Sequence, residues 1–314
     1  MDVRLDPHLA AYLADLRERG VPKIQTLTPE QGRAGFRMRT EMLREKAPPP
    51  QLPAVDERVI DGPAGPLRLR VYRPAVDRSL PTVLYVHGGG FVVCDLHTHD
   101  AICRRLAVDS GAVVASLEYR LAPEHRYPAA VQDALAGARW VRANLAELGG
   151  TSVWAMAGDS AGANLTAIAT HELRGEDGPP MTAQLLLYPS VDAAPDYPSK
   201  VELAEGYGLE MASIDYFFGH YLGDSAVDRS DPWVSPLHFP DHEGLPPAII
   251  VAAGFDPLRD EAHAYAAALT AAGVPVDLVD ASTLIHGFGD LGPLSPAAAA
   301  AMQDAGRRLG ARLS

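Results

Sequence analysis

Between residues 82 and 256 the sequence alternates short, dense apolar runs with longer helical patterns, and this rhythm restricts the fold more than any other feature. The runs are TVLYVHGGG (82–90), AVVASLEYR (112–120), SVWAMAGDS (152–160), AQLLLYPS (183–190) and PAIIVAAGFD (247–256). Each has the length of a strand and is too apolar for a solvated face, so burial on both sides is expected. The stretches 128–148 and 161–174 between them carry apolar residues at helical spacing. Strands alternating with helices predict a mostly parallel central sheet flanked by helices, an α/β fold. PLRLRVYRP (66–74) alternates apolar and polar residues, the pattern of a strand with one wet face. A further strand is expected near 275–280, and an Ala-rich helix near the C-terminus.

Two segments break the rhythm. In the first 50 residues, Leu9, Tyr12, Leu13 and Leu16 recur at helical spacing, and a second helical stretch runs from about Glu30 to Lys46. Prolines 48 to 50 cannot continue that helix and mark a boundary. From about 193 to 240, Pro195, Pro198, Pro232, Pro236 and Pro240 surround a helix-like piece at 211–223. The expected organisation is a helical segment 1–50 and a main unit 51–314, interrupted at about 193–240 by an insertion over the strand ends.

Gly158-Asp159-Ser160-Ala161-Gly162 is a G-x-S-x-G pentapeptide lying between an apolar run and a helical pattern. A serine on such a strand-to-helix turn is projected out of the sheet, and the glycines relieve crowding at the turn. Its place at a helix N-terminus also favours developing negative charge. The alternative is a serine cap with glycines that serve packing. His87-Gly88-Gly89-Gly90-Phe91 follows the run 82–86, and three glycines bring backbone N–H groups close to a substrate as oxyanion donors. A phosphate loop would want Lys-Ser or Lys-Thr next, and Phe91-Val92-Val93 follows instead. On a hydrolase of this type an acid and then a histidine come later in the chain. Asp256 ends one apolar run, and His286 sits in a loop after the next expected strand. Asp159 is adjacent to Ser160 and cannot easily reach the far side of an imidazole, so it supports the site rather than joins it.

Composition narrows the partners. A net charge of −13, with no run of Lys or Arg, repels nucleic acid and mildly favours neutral substrates. Two cysteines, Cys94 and Cys103, form neither a disulfide framework nor a zinc pattern. The N-terminal stretch lacks a signal-peptide pattern, and no apolar stretch approaches the roughly 20 residues that span a bilayer, so a cytoplasmic location is expected. Asp95-Leu96-His97-Thr98-His99-Asp100 imitates a binuclear-metal motif, but no further ligands with matching spacing accompany it. No metal and no other cofactor is expected, and Asp100 reads as a helix N-cap.

The set HGGGF (87–91), YRLAPEHRYPAA (119–130), GDSAG (158–162), DPLRDE (256–261) and HGF (286–288), in this order, resembles the hormone-sensitive-lipase-like branch of the α/β-hydrolases. The resemblance covers about 80 to 290. It implies Ser160 as nucleophile, Asp256 as orienting acid and His286 as base. It implies an oxyanion hole from the N–H groups of Gly88, Gly89 and Ala161, with His87, Gly90 and Asp159 bracing it from behind. It further implies a helical cap from residues 1–50 and the 193–240 insertion. The expected activity is hydrolysis of short- to medium-chain carboxylic esters, with a small-molecule ester as the partner. An amidase, or another acyl hydrolase on the same triad, and a non-catalytic small-molecule receptor on the same fold are the alternatives. Cys94 and Ala163 stand where the family often has glycine and would narrow the acyl side of the pocket. Pairing of edge strands or helices would allow a homodimer.

Overall fold

Residues 3–193 and 197–314 are described by a computed structural model; Asp2, and Pro195 of the expected insertion, lie outside the described residues. The five apolar runs become β3 (Leu80–Val86), β4 (Val113–Glu118), β5 (Gly150–Asp159), β6 (Ala183–Leu187) and β7 (Ala248–Phe255). With β1 (Ala54–Gly62), β2 (Gly65–Arg73) and β8 (Val276–Ile285) they form one sheet in the order β1-β2-β4-β3-β5-β6-β7-β8. From β4 to β8 every neighbour is parallel, while β1 and β2 form an antiparallel hairpin at one edge. The alternating strand at 66–74 is β2, whose partner β1 the apolar pattern does not reveal because only Ile60 of its nine residues is buried.

Alternate residues of each strand feed opposite faces. Leu84, Val86, Trp154 and Met156 pack on one side, against α4 (Ala129–Ala143) and α5 (Ala161–Glu172). Val83, Tyr85, Ala155, Ala157 and Leu185 pack on the other, against α3 (Asp100–Ser110) and α9 (Pro296–Arg312). A fifth helix, α8 (Arg259–Ala271), covers β7 through Tyr265 and Leu269.

The N-terminal segment forms α1 (Pro7–Glu18) and α2 (Pro29–Lys46). Asp6 caps α1 by accepting from the His8 and Leu9 amides, and Thr28 with Gln31 forms a capping box on α2. Pro7 and Pro29 fit the first helical position, whose N–H has no intrahelical acceptor. The region after β6 holds a short α6 (Pro198–Glu202) and α7 (Met211–Leu222). Both segments are tied to the strand ends. The Arg33 guanidinium of α2 donates to Val92 O at 2.9 Å and to Ala122 O at 2.9 Å. From α7, Tyr221 stacks on Phe91 at 3.9 Å between ring centroids and accepts the Tyr127 amide at 2.9 Å.

Asp100 is the first residue of α3 rather than its cap, which is His99. The Asp100 carboxylate is buried, where it accepts from Tyr72 Oη at 3.1 Å, Arg104 Nε at 2.8 Å and Arg44 Nη2 at 3.2 Å. Two guanidiniums within bonding distance outweigh the amides a capping role would offer. No helix of the described residues is long and apolar enough to cross a membrane.

Candidate active site

Three side chains meet beyond the C-terminal ends of the parallel strands, where ligands bind in α/β sheets of this kind. Ser160 follows β5, Asp256 follows β7 and His286 follows β8. The turn at Ser160 is strained: φ is 53° and ψ is −119°, outside the regions an ordinary residue prefers. Neighbours hold it there. Ser160 N donates to Leu187 O at 2.9 Å, and Asn164 N donates back to Ser160 O at 3.0 Å. Gly162 lets α5 reach the end of β3, since a Cβ there would lie 2.0 Å from Val86 O.

The His286 ring lies between the other two. Its Nε2 is 2.9 Å from Ser160 Oγ, and its Nδ1 is 2.7 Å from Asp256 Oδ2. Ionised Asp256 can only accept, so Nδ1 carries the proton and neutral Nε2 is left as an acceptor for the serine hydroxyl. Asp256 is fully buried, and its Oδ1 accepts the Leu258 amide at 2.9 Å. Tyr188 meets the His286 ring edge to face, at 4.9 Å between centroids.

The glycine loop differs from the expectation by one residue. Gly88 N–H already donates to Asp159 Oδ1 at 2.9 Å, so Gly88 is not an open oxyanion donor. Among the described residues, no acceptor is found for the amides of Gly89 and Gly90. Ala161, at the first position of α5, has no intrahelical acceptor for its N–H. Gly89, Gly90 and Ala161 all line the same cavity as Ser160. Gly90 has φ +57°, and a Cβ there would lie 2.3 Å from the Phe217 ring, so α7 packs directly on this loop.

Asp159 braces the loop from behind. Besides Gly88 N–H it accepts from Tyr85 Oη at 2.7 Å, and His99 Nε2 lies 3.3 Å away. Burial opposes the charge, but the His99 imidazole and the Tyr85 hydroxyl outweigh it and hold the Asp159 carboxyl below its usual range. The same partner raises His99 against the effect of burial. His87 is fully buried, stacks on Tyr119 at 4.3 Å, and places Nδ1 2.8 Å from Gly88 O. Burial, aided by nearby His99, pushes His87 down to about 4, so it stays neutral near pH 7.

A cavity of about 590 Å³ opens over Ser160. Leu13 and Leu16 of α1, Phe36 of α2, Phe217 and Phe218 of α7, and Ile285 give it an apolar wall. Cys94, with φ +73°, lines it too. Ala163 does not; it packs with Leu186 and Ile250 on the sheet side of α5. The metal-like histidines diverge, His97 toward Glu41 at 2.5 Å and His99 toward Asp159. Among the described residues, no three His, Cys, Asp or Glu side chains converge as metal ligands. Tyr85 and Tyr188 are the participants that sequence reasoning missed. The aromatic run Tyr216-Phe217-Phe218 reads from the sequence as packing or, in a cap, as pocket lining, and Phe217 and Phe218 do line the cavity.

The arrangement can deprotonate a serine hydroxyl next to a set of open amide donors, in a pocket suited to an apolar molecule. Comparison with known proteins places it. A family described as alpha/beta hydrolase fold matches residues 83–290. Esterase LipI of Mycobacterium tuberculosis is 42% identical over 276 residues, covering 87% of this chain and 86% of that protein. The ethyl acetate hydrolase of Pseudomonas putida is 35% identical over 301 residues, covering 92% and 93%. Among solved structures, an ester hydrolase from the metagenome of Lake Arreo, in complex with a bipyridine phosphonate derivative, superposes with a TM-score of 0.91 at 39% identity, covering 98% of each chain. The chain belongs to the α/β-hydrolase fold family, in its hormone-sensitive-lipase-like esterase branch.

Proposed function

We propose that the protein is a serine carboxylesterase in which Ser160 attacks the ester carbonyl while His286 Nε2 takes its proton. Asp256 holds the imidazole in the required tautomer and stabilises the imidazolium. The tetrahedral oxyanion is received by the amides of Gly89, Gly90 and Ala161; one such donor is typically worth about 100- to 1000-fold in rate. His286 then protonates the departing alcohol, and water activated by the same ring releases the acid from the acyl-enzyme. The single observation that carries this reading is the Ser160–His286–Asp256 chain of contacts, at 2.9 and 2.7 Å.

Residues 1–50 and the 193–240 insertion act as a cap, since α1, α2 and α7 supply the wall opposite Ser160. The apolar wall and the limited cavity volume favour short to medium acyl chains. The receptor alternative is disfavoured because the serine, histidine and aspartate stand at reacting distance. A cytoplasmic location, and a homodimer through edge strands or helices, belong to this reading.

An aryl phosphonate inhibitor tests it. Its mass is expected on the peptide carrying Ser160, and labelling elsewhere with Ser160 untouched refutes the assignment. His286→Ala is expected to lower kcat on p-nitrophenyl butyrate by at least about a thousandfold. Turnover near the wild-type rate in that variant would place the base elsewhere.

A further inference from the structure

One part of the cavity wall is charged. Arg39 of α2 lines the cavity together with Tyr12 of α1 and Asp290, four residues beyond His286. Arg39 Nη2 donates to Asp290 Oδ2 at 2.5 Å. Arg39 Nε and Asp290 Oδ1 are sealed and meet no partner. The Arg39 side chain is nonetheless 30% exposed, and Asp290 15%. The Arg39 guanidinium lies 4.7 Å from the Phe36 ring centroid.

A guanidinium here is out of place in a pocket meant only for alkyl chains. An alkyl chain laid across it strips water from the cation and returns no acceptor, which is unfavourable. An oxygen atom in the same place replaces the lost water. A second negative charge does not fit as well, because Asp290 already balances Arg39 and the chain as a whole carries −13.

We propose that Arg39, oriented by Asp290 and flanked by Tyr12, forms a polar subsite for a second, neutral oxygen of the substrate. The esters it takes best carry an ether, keto or hydroxyl oxygen on the acyl or alcohol chain. This rests on the esterase reading above and names its substrate class. One hydrogen bond to a charged donor, present with the oxygenated ester and absent with its alkyl twin, corresponds to about tenfold or more in kcat/KM.

Ether-for-methylene pairs test it, because each pair has nearly equal size. Ethyl methoxyacetate is compared with ethyl butanoate, ethyl 3-methoxypropanoate with ethyl pentanoate, and 2-methoxyethyl acetate with butyl acetate. An ether oxygen also activates an ester inductively, so the readout is the ether-to-alkyl ratio of kcat/KM in the wild type divided by that in Arg39→Met. The subsite is expected to give a quotient of about ten or more for at least one pair. A quotient near one for all three overturns it. Asp290→Asn keeps a side chain able to accept from Arg39 and leaves the cation unbalanced, so it covers the case in which Arg39→Met fails to fold. It is expected to raise turnover of the anionic half-ester monoethyl succinate about tenfold over wild type, relative to ethyl butanoate. An unchanged ratio there also counts against the subsite. A wild-type enzyme inert on every ester, alkyl and ether alike, would instead sink the esterase reading and the subsite with it.

Discussion

His87 gives the most quantitative expectation. It sits at the root of the oxyanion loop, fully buried, with Nδ1 on Gly88 O and Nε2 facing no partner. Its folded-state value is pushed down to about 4, while an unfolded histidine titrates near 6.5. The depressed value sets the sign. Above about pH 6.5 both states are neutral and His87 contributes no pH dependence. As pH falls toward about 4, only the unfolded chain takes up the proton, so stability is lost through that window. Between pH 7.5 and 4.5 the loss works out at about 2.5 kcal/mol.

Other groups titrate in the same range, so the measurement must be a difference. His171, pushed down to about 3 by burial, slopes the same way, while His99, raised by Asp159, slopes the opposite way. Both stay in place when His87 is replaced by glutamine, which does not titrate. Urea unfolding of the wild type and His87→Gln at pH 7.5 and 4.5 gives four free energies. The wild type is expected to lose about 2.5 kcal/mol more than the variant over that interval. The variant starts lower at pH 7.5, because it gives up the Tyr119 stack. Parallel pH profiles would refute the reasoning, since they would mean His87 protonates in the fold as readily as outside it.

The remaining expectations concern rate. Asp159→Asn removes the charge that holds His99 and weakens the hold on Gly88, so kcat on p-nitrophenyl butyrate should fall about 10- to 100-fold with KM little changed; a wild-type kcat contradicts the bracing role. Phe217→Ala uncovers Gly90 and admits water, so kcat/KM should drop about tenfold, with partial recovery in Phe217→Leu; equal losses in both variants argue against packing as the cause. Prolonged incubation with a chelator should leave activity intact; loss that zinc restores would bring His97 and His99 back as ligands.

The strands that read most clearly are those with water on neither face. β6, with all five residues buried, announces itself in Leu185, Leu186 and Leu187. β1 does not, because an edge strand carries Asp56, Glu57 and Arg58 without penalty, and its order comes from backbone pairing with β2. The serine, acid and histidine were legible for a related reason. Ser160 and Asp256 each follow a mostly buried strand directly, and His286 follows the edge strand β8, buried only at its last two residues, so chain order and strand order together leave few candidates. Arg39 lacked any such cue. It is one of several arginines on an amphipathic helix, and only the packing of α2 over the strand ends turns it toward the cavity.

The displaced oxyanion glycine shows what a motif leaves open. His87-Gly88-Gly89-Gly90 states that several amides are unhindered, but not which way each N–H points. That direction depends on a competitor elsewhere in the chain. Asp159 lies 71 residues after Gly88 and takes its N–H because Tyr85 and His99 hold the carboxylate at the end of β3. With Gly88 committed, the open donors shift forward to Gly89 and Gly90. The residue beside the nucleophile therefore acts on the oxyanion site and not on the imidazole. It fixes the first glycine so that the next two are free, and Phe217 then limits how far the third can move. A donor set built this way needs no rearrangement when charge develops on the substrate, which is the condition under which amide donors lower a barrier most.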